Sequence, residues 1–345
     1  MSNMKKIKRS ALVIALLSIS ICGFSQDLNF SQFYELPLLR NPGLAGIFAG
    51  DFRLTASYRN QWESVTVPYR SMALGAEYKL PQSENASSSK VIGLQVTNDI
   101  AGDSKFSRTQ VFPAGNIQLP LNFGNQTFLS LGFMGGPVLQ KFDPVKLTFD
   151  DQFVNGTYSA SNPTTDIFTK TSITYFDMAA GISISGLLDE QTKYYVGFGG
   201  FHLIQPKVAF LQQGDVLLNR KYVINAGIYA PTGMYNHFII YADYFMQGAY
   251  KQAQGGFLFS HDLSGTGDEN KTTSITLGGF YRWNDALIPV VKLDLNKLGI
   301  GVSYDINTSK LKTASQYRGG FEMTLTYKDL LSSRHPDPTG CPVVF

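Results

Sequence analysis

Few residues of this 345-residue chain are spaced for catalysis or metal binding. The run Gly181–Gly186 is only a loose match to a nucleophile elbow, because its spacing is wrong and no helix is predicted after it. A hydrolase using Ser183 is therefore the weaker hypothesis, and we expect no enzyme and no cofactor. The histidines also lack the ligand spacing of a zinc site, standing far apart at His202, His237, His261 and His335.

Two glycine-rich runs invite a ligand interpretation. The loop Asp262–Glu269 is acidic, but it does not follow the twelve-residue ligand spacing of an EF-hand. We expect a solvated turn there and leave calcium binding open. The run Gly197–Gly200 has no following helix to present its N-terminus to a phosphate. Glycine there is expected to let a strand bend or a side chain pack close.

The elements around these residues read as strands with one apolar and one polar face. From Leu298 to Asn307 every second residue is apolar, and the residues between are small or polar. Successive side chains of a strand point to opposite faces, so the pattern separates the two faces completely. A soluble sandwich gives the same alternation with the apolar face as its core. We favour the reading in which the apolar face meets lipid and the polar face meets a lumen.

About 14 such strands follow one another, the first over Phe52–Asn60. An even number is what a closed single-chain outer-membrane barrel requires, so the expected fold is an all-β transmembrane outer-membrane β-barrel of antiparallel strands. The connection Asp143–Ser172 is expected to be strandless, and a strand is expected over Tyr194–Ile204. Long connections alternate with mostly shorter ones, as on the outer and periplasmic sides of such barrels.

The chain divides into four parts. Residues 1–25 carry a basic region, an apolar run and small residues, which predicts a signal peptide. Residues 26–50 form a periplasmic N-terminal segment and possible plug, residues 51–329 the barrel, and residues 330–345 a periplasmic tail with Cys341. Without residues 1–25 the chain has 25 basic and 26 acidic residues, which does not favour nucleic acid as a partner.

Residues 27–49 are apolar but rich in proline and glycine. Pro37, Pro42 and the glycines make a helix or strand unlikely before Phe52. The apolar side chains still need a surface, so we expect the segment to pack at or in the periplasmic mouth of the barrel and narrow the pore. Arg40 and Asn41 would then meet the polar lumen, while Arg59 and Trp62 would lie near the outer rim of the first strand.

Charges of both signs are predicted on the lumen face, where they can pair across strands. The sequence does not decide between a plugged lumen and a modest channel. Ser303 is also placed on this face, so an arginine there is expected to be much milder than at Val302. The predicted lumen charges are Arg53, Arg59, Glu77, Lys79, Asp177, Lys292, Asp294, Asp305 and Glu322.

Three motifs near the start of the chain resemble the PorP/SprF family of type IX secretion and gliding-motility outer-membrane proteins. They are Gln26–Tyr34, Asn41–Gly46 and Tyr58–Trp62, similar to the family runs Q-D-P-x-F-S-Q-Y, N-P-A-x-x-G and Y-R-x-Q-W. Leu28 stands where the family often has proline, and Gly43 where it has alanine. The end, Cys341–Phe345, resembles a C-P-x-F-like terminus with one extra residue.

The resemblance implies a non-enzymatic barrel in the outer membrane that contacts its lipid. Its implied partners are periplasmic type IX secretion components and secreted or surface-anchored cargo, including adhesins. A channel or transporter for solutes or hydrophobic compounds is the alternative. The residues expected to bind partners or form the plug are Phe30, Phe33, Tyr34, Arg40, Asn41, Pro42, Arg59, Gln61 and Trp62.

Overall fold

The structure is a computed structural model that describes residues 27–63, 67–81, 88–122, 127–154, 156–159, 161–165, 168, 170–210, 216–264 and 273–329. Several predicted features lie outside these residues. They are the signal peptide, most of the Asp262–Glu269 loop, and the tail with Cys341.

Fourteen strands form a closed antiparallel barrel, and two short strands pair with each other outside it. The predicted barrel of about 14 antiparallel strands is confirmed. The wall strands are β1 (Phe52–Gln61), β2 (Tyr69–Lys79), β3 (Ser89–Ala101), β4 (Phe106–Asn122), β5 (Thr127–Lys141), β8 (Ser172–Leu187), β9 (Lys193–Phe201), β10 (Lys221–Pro231), β11 (Asn236–Gln247), β12 (Tyr250–Asp262), β13 (Thr273–Arg282), β14 (Ala286–Leu295), β15 (Leu298–Asn307) and β16 (Arg318–Asp329). The separate pair is β6 (Phe153–Val154) and β7 (Thr157–Tyr158).

The barrel closes where the first strand meets the last. β1 pairs with β16 from Phe52 opposite Asp329 to Gln61 opposite Gly320. We call the end with Phe52 and Asp329 the lower end and the opposite one the upper end. The long connections 142–171, 202–220 and 308–317 all lie at the upper end.

Side-chain facing follows the predicted alternation. In β15, Ser303 and Asp305 are buried toward the lumen, whereas Val302 is 39% exposed and Tyr304 is 40% exposed on the outside. The same order in the other strands gives the barrel an apolar outer belt, as lipid contact requires. Among the described residues, no helix is long and apolar enough to cross a membrane.

Two expected boundaries are wrong. The connection after β5 is not strandless, because β6 and β7 pair around Gly156, whose φ of +77° allows the tight turn. The strand expected over Tyr194–Ile204 ends at Phe201, because His202 has a φ of +56° and leaves the extended conformation.

Residues 27–50, called the plug, lie inside the barrel. They form a 3-10 turn (Phe33–Glu35), one α-helical turn, α1 (Pro37–Arg40), and a second 3-10 turn (Pro42–Leu44). The expectation of no helix before Phe52 is therefore wrong over these short turns. Pro37 and Pro42 each occupy the first turn of a helix, where the missing N–H has no intrahelical partner to lose.

The plug reaches much further than one mouth. Asp27 contacts Arg108 and Lys221 near the upper ends of β4 and β10. At the other extreme, the Phe48 carbonyl accepts a 2.6 Å hydrogen bond from Lys79, the last residue of β2. The segment therefore extends from the expected lower mouth through the lumen to the upper end, where its apolar residues gain more buried surface than the rim alone offers.

Candidate functional site

A row of lumen-facing glycines receives the middle of the plug. Gly132 stands opposite Gly181, and Gly181 stands opposite Gly199, on β5, β8 and β9. A Cβ at Gly132 would overlap the Pro42 carbonyl, and one at Gly181 would overlap the side-chain oxygen of Asn41. The absence of side chains in this row therefore creates the groove that holds the plug backbone.

Wall side chains satisfy the plug backbone beside this groove. Asn116 donates to the Pro42 carbonyl at 3.1 Å, and Ser183 donates to the Gly43 carbonyl at 2.7 Å. Buried carbonyls need such partners because water is excluded. Ser183, the candidate nucleophile, thus donates its hydroxyl hydrogen bond to the plug rather than to a histidine.

Arg40 of the plug forms a buried bidentate ion pair with the wall. Its Nε and Nη2 donate to the two carboxylate oxygens of Asp243, at 2.9 and 2.5 Å. Nη1 donates to the hydroxyl of Tyr195 at 2.7 Å, and the guanidinium lies 4.9 Å from the centre of the Phe33 ring. A bidentate pair of this kind fixes both position and orientation of the plug.

The predicted aromatic site residues pack inside the lumen. Tyr34 stacks on Tyr241 with ring centres 5.2 Å apart, and Phe33 meets Phe280 edge-on at 5.2 Å. Phe30 is buried in a separate small cluster with Leu36 and Ala73. These side chains bury apolar surface of the plug inside the lumen.

Glu322 and Arg59 hold the start of the plug. The Glu322 carboxylate accepts from the backbone N–H of Ser31 at 2.6 Å and of Gln32 at 2.7 Å. Arg59 pairs with Asp305 at 2.5 Å and donates to the Asn29 carbonyl. Arg59 lies near the upper end of β1 and is only 2% exposed, because it is enclosed between plug and wall.

The last two predicted site residues lie above this contact. The side-chain carbonyl of Gln61 accepts from Arg59 once its amide is oriented to satisfy both groups. Trp62 does not face the plug, and lines an upper-end cleft with Trp283 and Leu311. Its φ of +63° turns the chain away from β1 toward that cleft.

An ionic cluster lies at the upper end, and of its members only Asp177 was predicted from the sequence to lie on the lumen face. Asp27 lies 3.1 Å from Lys221, and His202 Nδ1 lies 2.5 Å from Asp177, with His202 Nε2 3.5 Å from Asp27. Burial alone would raise the pKa of Asp27, but Lys221 and Arg108 hold it well below its ordinary value. These five side chains anchor the start of the plug.

The cluster favours the protonated form of His202. Burial alone would lower the pKa of His202, but the hydrogen bonds to Asp177 and Asp27 raise it. The wall residues of the cluster come from neighbouring strands between β4 and β10, and Asp27 reaches them from the plug. Within the described ranges, no group of three or more His, Cys, Asp or Glu is placed to hold a metal.

Several solved structures match the chain at very low sequence identity. The CymD monoaromatic hydrocarbon channel matches at 9% identity and TM-score 0.46, covering 91% of this chain and 96% of CymD. CdiB from Acinetobacter baumannii matches at 8% identity and TM-score 0.39, covering 80% of this chain. This chain spans 60% of the length of CdiB.

A third barrel, BamA from Haemophilus ducreyi lacking POTRA domains 1–3, matches at 9% identity and TM-score 0.39. The match covers 81% of this chain and 70% of that one. No curated protein matches the chain.

The family comparison covers both the plug and the wall. The family described as "Type IX secretion system membrane protein PorP/SprF" matches residues 23–327. That range holds Asn41–Gly46, which lies on the glycine row, and Tyr58–Trp62, where Arg59 binds the plug. The motifs that suggested the family therefore meet inside the lumen, where the plug contacts the wall. Because the family match covers most of the chain, the chain belongs to the PorP/SprF family of type IX secretion system membrane proteins.

Proposed function

We propose that this protein is a non-enzymatic, plugged outer-membrane barrel of type IX secretion. Its lower end binds periplasmic machinery components, and its upper end binds secreted or surface-anchored cargo, adhesins among them. The observation that carries the proposal is the occupied lumen. Residues 27–50 run from the upper to the lower end of the lumen. They pair with lumen-facing polar side chains of the wall, which a solute pathway would need to leave exposed.

The connections support this orientation. Long upper connections and mostly short lower ones match the outer and periplasmic sides of single-chain barrels. The pair β6 and β7 lies in the upper connection 142–171, and we call it the upper ribbon. It exposes apolar side chains to solvent: Phe153 is 55% exposed, Val154 51% and Tyr158 38%. Exposed apolar groups on a long loop are typical of a protein-binding surface.

Planar-bilayer recording with and without residues 27–48 tests the proposal. Wild-type protein should conduct little, because the plug fills the lumen. The deletion variant, with residues 1–26 kept, should remain a folded barrel with raised conductance and should impair cargo export in cells. Steady, solute-selective conductance of the wild type would instead favour the channel alternative.

The upper ribbon provides a matched variant. Replacing Phe153, Val154 and Tyr158 together by serine leaves the plug and the wall contacts intact. We expect unchanged conductance with reduced cargo binding or surface display. Normal export in both this variant and the deletion variant would contradict the proposed function.

A further inference from the structure

A cavity of about 430 Å³ lies between the plug and the wall at the lower end. It reaches the rim at Asn296, Lys297 and Asp329, and we call it the vestibule. Its walls are lumen-facing parts of the barrel, away from the lipid belt. This volume is within the range of sites that bind small ligands or a few side chains.

One cation of the vestibule has no ion-pair partner among the described residues. Lys292 is paired with Glu35 at 2.7 Å and with Asp294 at 3.3 Å, and Lys297 is paired with Asp329 at 2.6 Å. The ammonium group of Lys328 makes no hydrogen bond or ion pair with any described residue, although Lys328 lines the same cavity. Directly opposite Lys328 on β1 is another cation, Arg53, which is paired with Glu77.

The aromatic part of the vestibule offers a second donor. Tyr34 is 8% exposed, and its hydroxyl is buried without a hydrogen-bond partner among the described residues. The ring stacks on Tyr241, which also lines the cavity together with Leu258. A buried hydroxyl without an acceptor is unfavourable, so a ligand that accepts from it would be stabilised.

We propose that the vestibule binds an acidic, aromatic-containing polypeptide segment of a periplasmic partner. A carboxylate of that segment pairs with Lys328, Tyr34 donates to an oxygen acceptor of the segment, and an aromatic side chain packs against Tyr241 and Leu258. The inference rests on the proposed function only for the partner's location, since the charge and shape of the vestibule define the ligand chemistry. A charge-assisted contact is stronger in an enclosed pocket than at an exposed surface, so the vestibule suits an acidic ligand better than the open rim does.

Peptide binding to the purified barrel in phosphatidylcholine nanodiscs tests this site without the secretion machinery. The probe is an acetylated tetrapeptide of alternating aspartate and phenylalanine, compared with its neutral counterpart containing asparagine. Isothermal titration should show the acidic peptide binding about tenfold or more tightly than the neutral one. Equal binding of the two peptides would overturn the proposal.

Two variants assign the effect to residues. Lys328→Met, or Lys328→Gln if the first does not fold, should abolish the preference for the acidic peptide, and Tyr34→Phe should weaken binding about threefold. Lys141→Met, which removes an exposed cation at the upper end of β5, should bind as the wild type does. An unchanged preference after substitution of Lys328 refutes the site.

Dodecyl phosphate serves as the lipid-headgroup probe. Binding of dodecyl phosphate more tightly than the acidic peptide would overturn the proposal in favour of a lipid site. Export assays separate the two proposals. If deleting residues 27–48 impairs export but the acidic peptide shows no preference, the proposed function stands and the vestibule inference fails.

Discussion

Arg40 of the plug and Asp243 of β11 form a bidentate ion pair with side chains only 6% and 3% exposed. Removing one partner of a buried pair leaves the other charged and unpaired. We therefore expect Arg40→Ala to lower the free energy of unfolding by about 3–5 kcal/mol. Urea unfolding in lipid vesicles, followed by tryptophan fluorescence, measures the loss.

The double variant Arg40→Met with Asp243→Leu is the control for this pair. Apolar replacement of both partners removes the unpaired charge, so most of the lost stability should return. Equal losses in the single and double variants would show that packing, and not charge pairing, governs this contact.

The glycine row should tolerate no side chain. Gly132→Ala places a methyl group on the Pro42 carbonyl, so the plug must shift. We expect a loss of about 1–3 kcal/mol and a rise in conductance as the lumen loosens. Gly115→Ala on β4 is the matched control, because a Cβ there meets nothing within 4 Å. Similar effects of the two substitutions would count against the row as a seat for the plug.

The outer belt should respond to charge according to depth. Val302→Arg places a cation in the middle of the lipid-facing surface and should cost about 2–4 kcal/mol. Leu295→Arg, at the lower end of the neighbouring β14, faces outward with 41% exposure and should cost about 0–1 kcal/mol. Gel-shift assays of heat-resistant folded barrel compare the two, and equal losses would contradict the assigned membrane depth.

Ser303 is not the mild control that the sequence suggested. It is 2% exposed in the filled lumen, and its hydroxyl has no hydrogen-bond partner among the described residues. An arginine there would need space that the plug already occupies. We therefore expect Ser303→Arg to displace the plug and to raise conductance in planar bilayers. Wild-type conductance together with wild-type stability would contradict close packing at this point.

His202 should make the upper ionic cluster sensitive to pH. Its pKa is raised in the folded protein, so the protonated form stabilises the fold. This contribution is complete below the ordinary value of 6.5 and is lost as pH rises through the folded pKa. We expect the stability difference between wild type and His202→Gln to shrink as the pH rises above 6.5 and passes the folded pKa of His202. A difference that grows with pH would reverse the assigned sign.

The barrel was predictable because each wall strand carries its own evidence. In Leu298–Asn307 the alternation alone fixes which side chains face outward, and a one-residue slip would reverse all of them. The lumen was less predictable. The alternation of polar and apolar residues correctly placed Arg59 and Ser303 on the lumen face. That pattern is the same whether the lumen holds water or a packed segment.

The seat of the plug depends on residues that carry no local signal. Gly132, Gly181 and Gly199 are separated in sequence and align only through strand register. From the sequence alone, each glycine indicates only that its strand bends there or that another part of the protein packs closely against it. The cluster of Asp27, His202 and Lys221 likewise forms only when the plug carries Asp27 to the upper ends of the paired strands β9 and β10.

The path of the plug also constrains the order of assembly. Ser31 and Gln32 bind Glu322, which lies about 290 positions later on the strand that completes the ring. The ring is threaded by its own leading segment, with Asp27 on one side and Phe52 on the other. Such distant contacts have a high loop-closure cost and form slowly. The contacts of the leading segment with Glu322 can therefore form only after β16 has joined the sheet, and pairing of β1 with β16 then encloses the segment inside the ring.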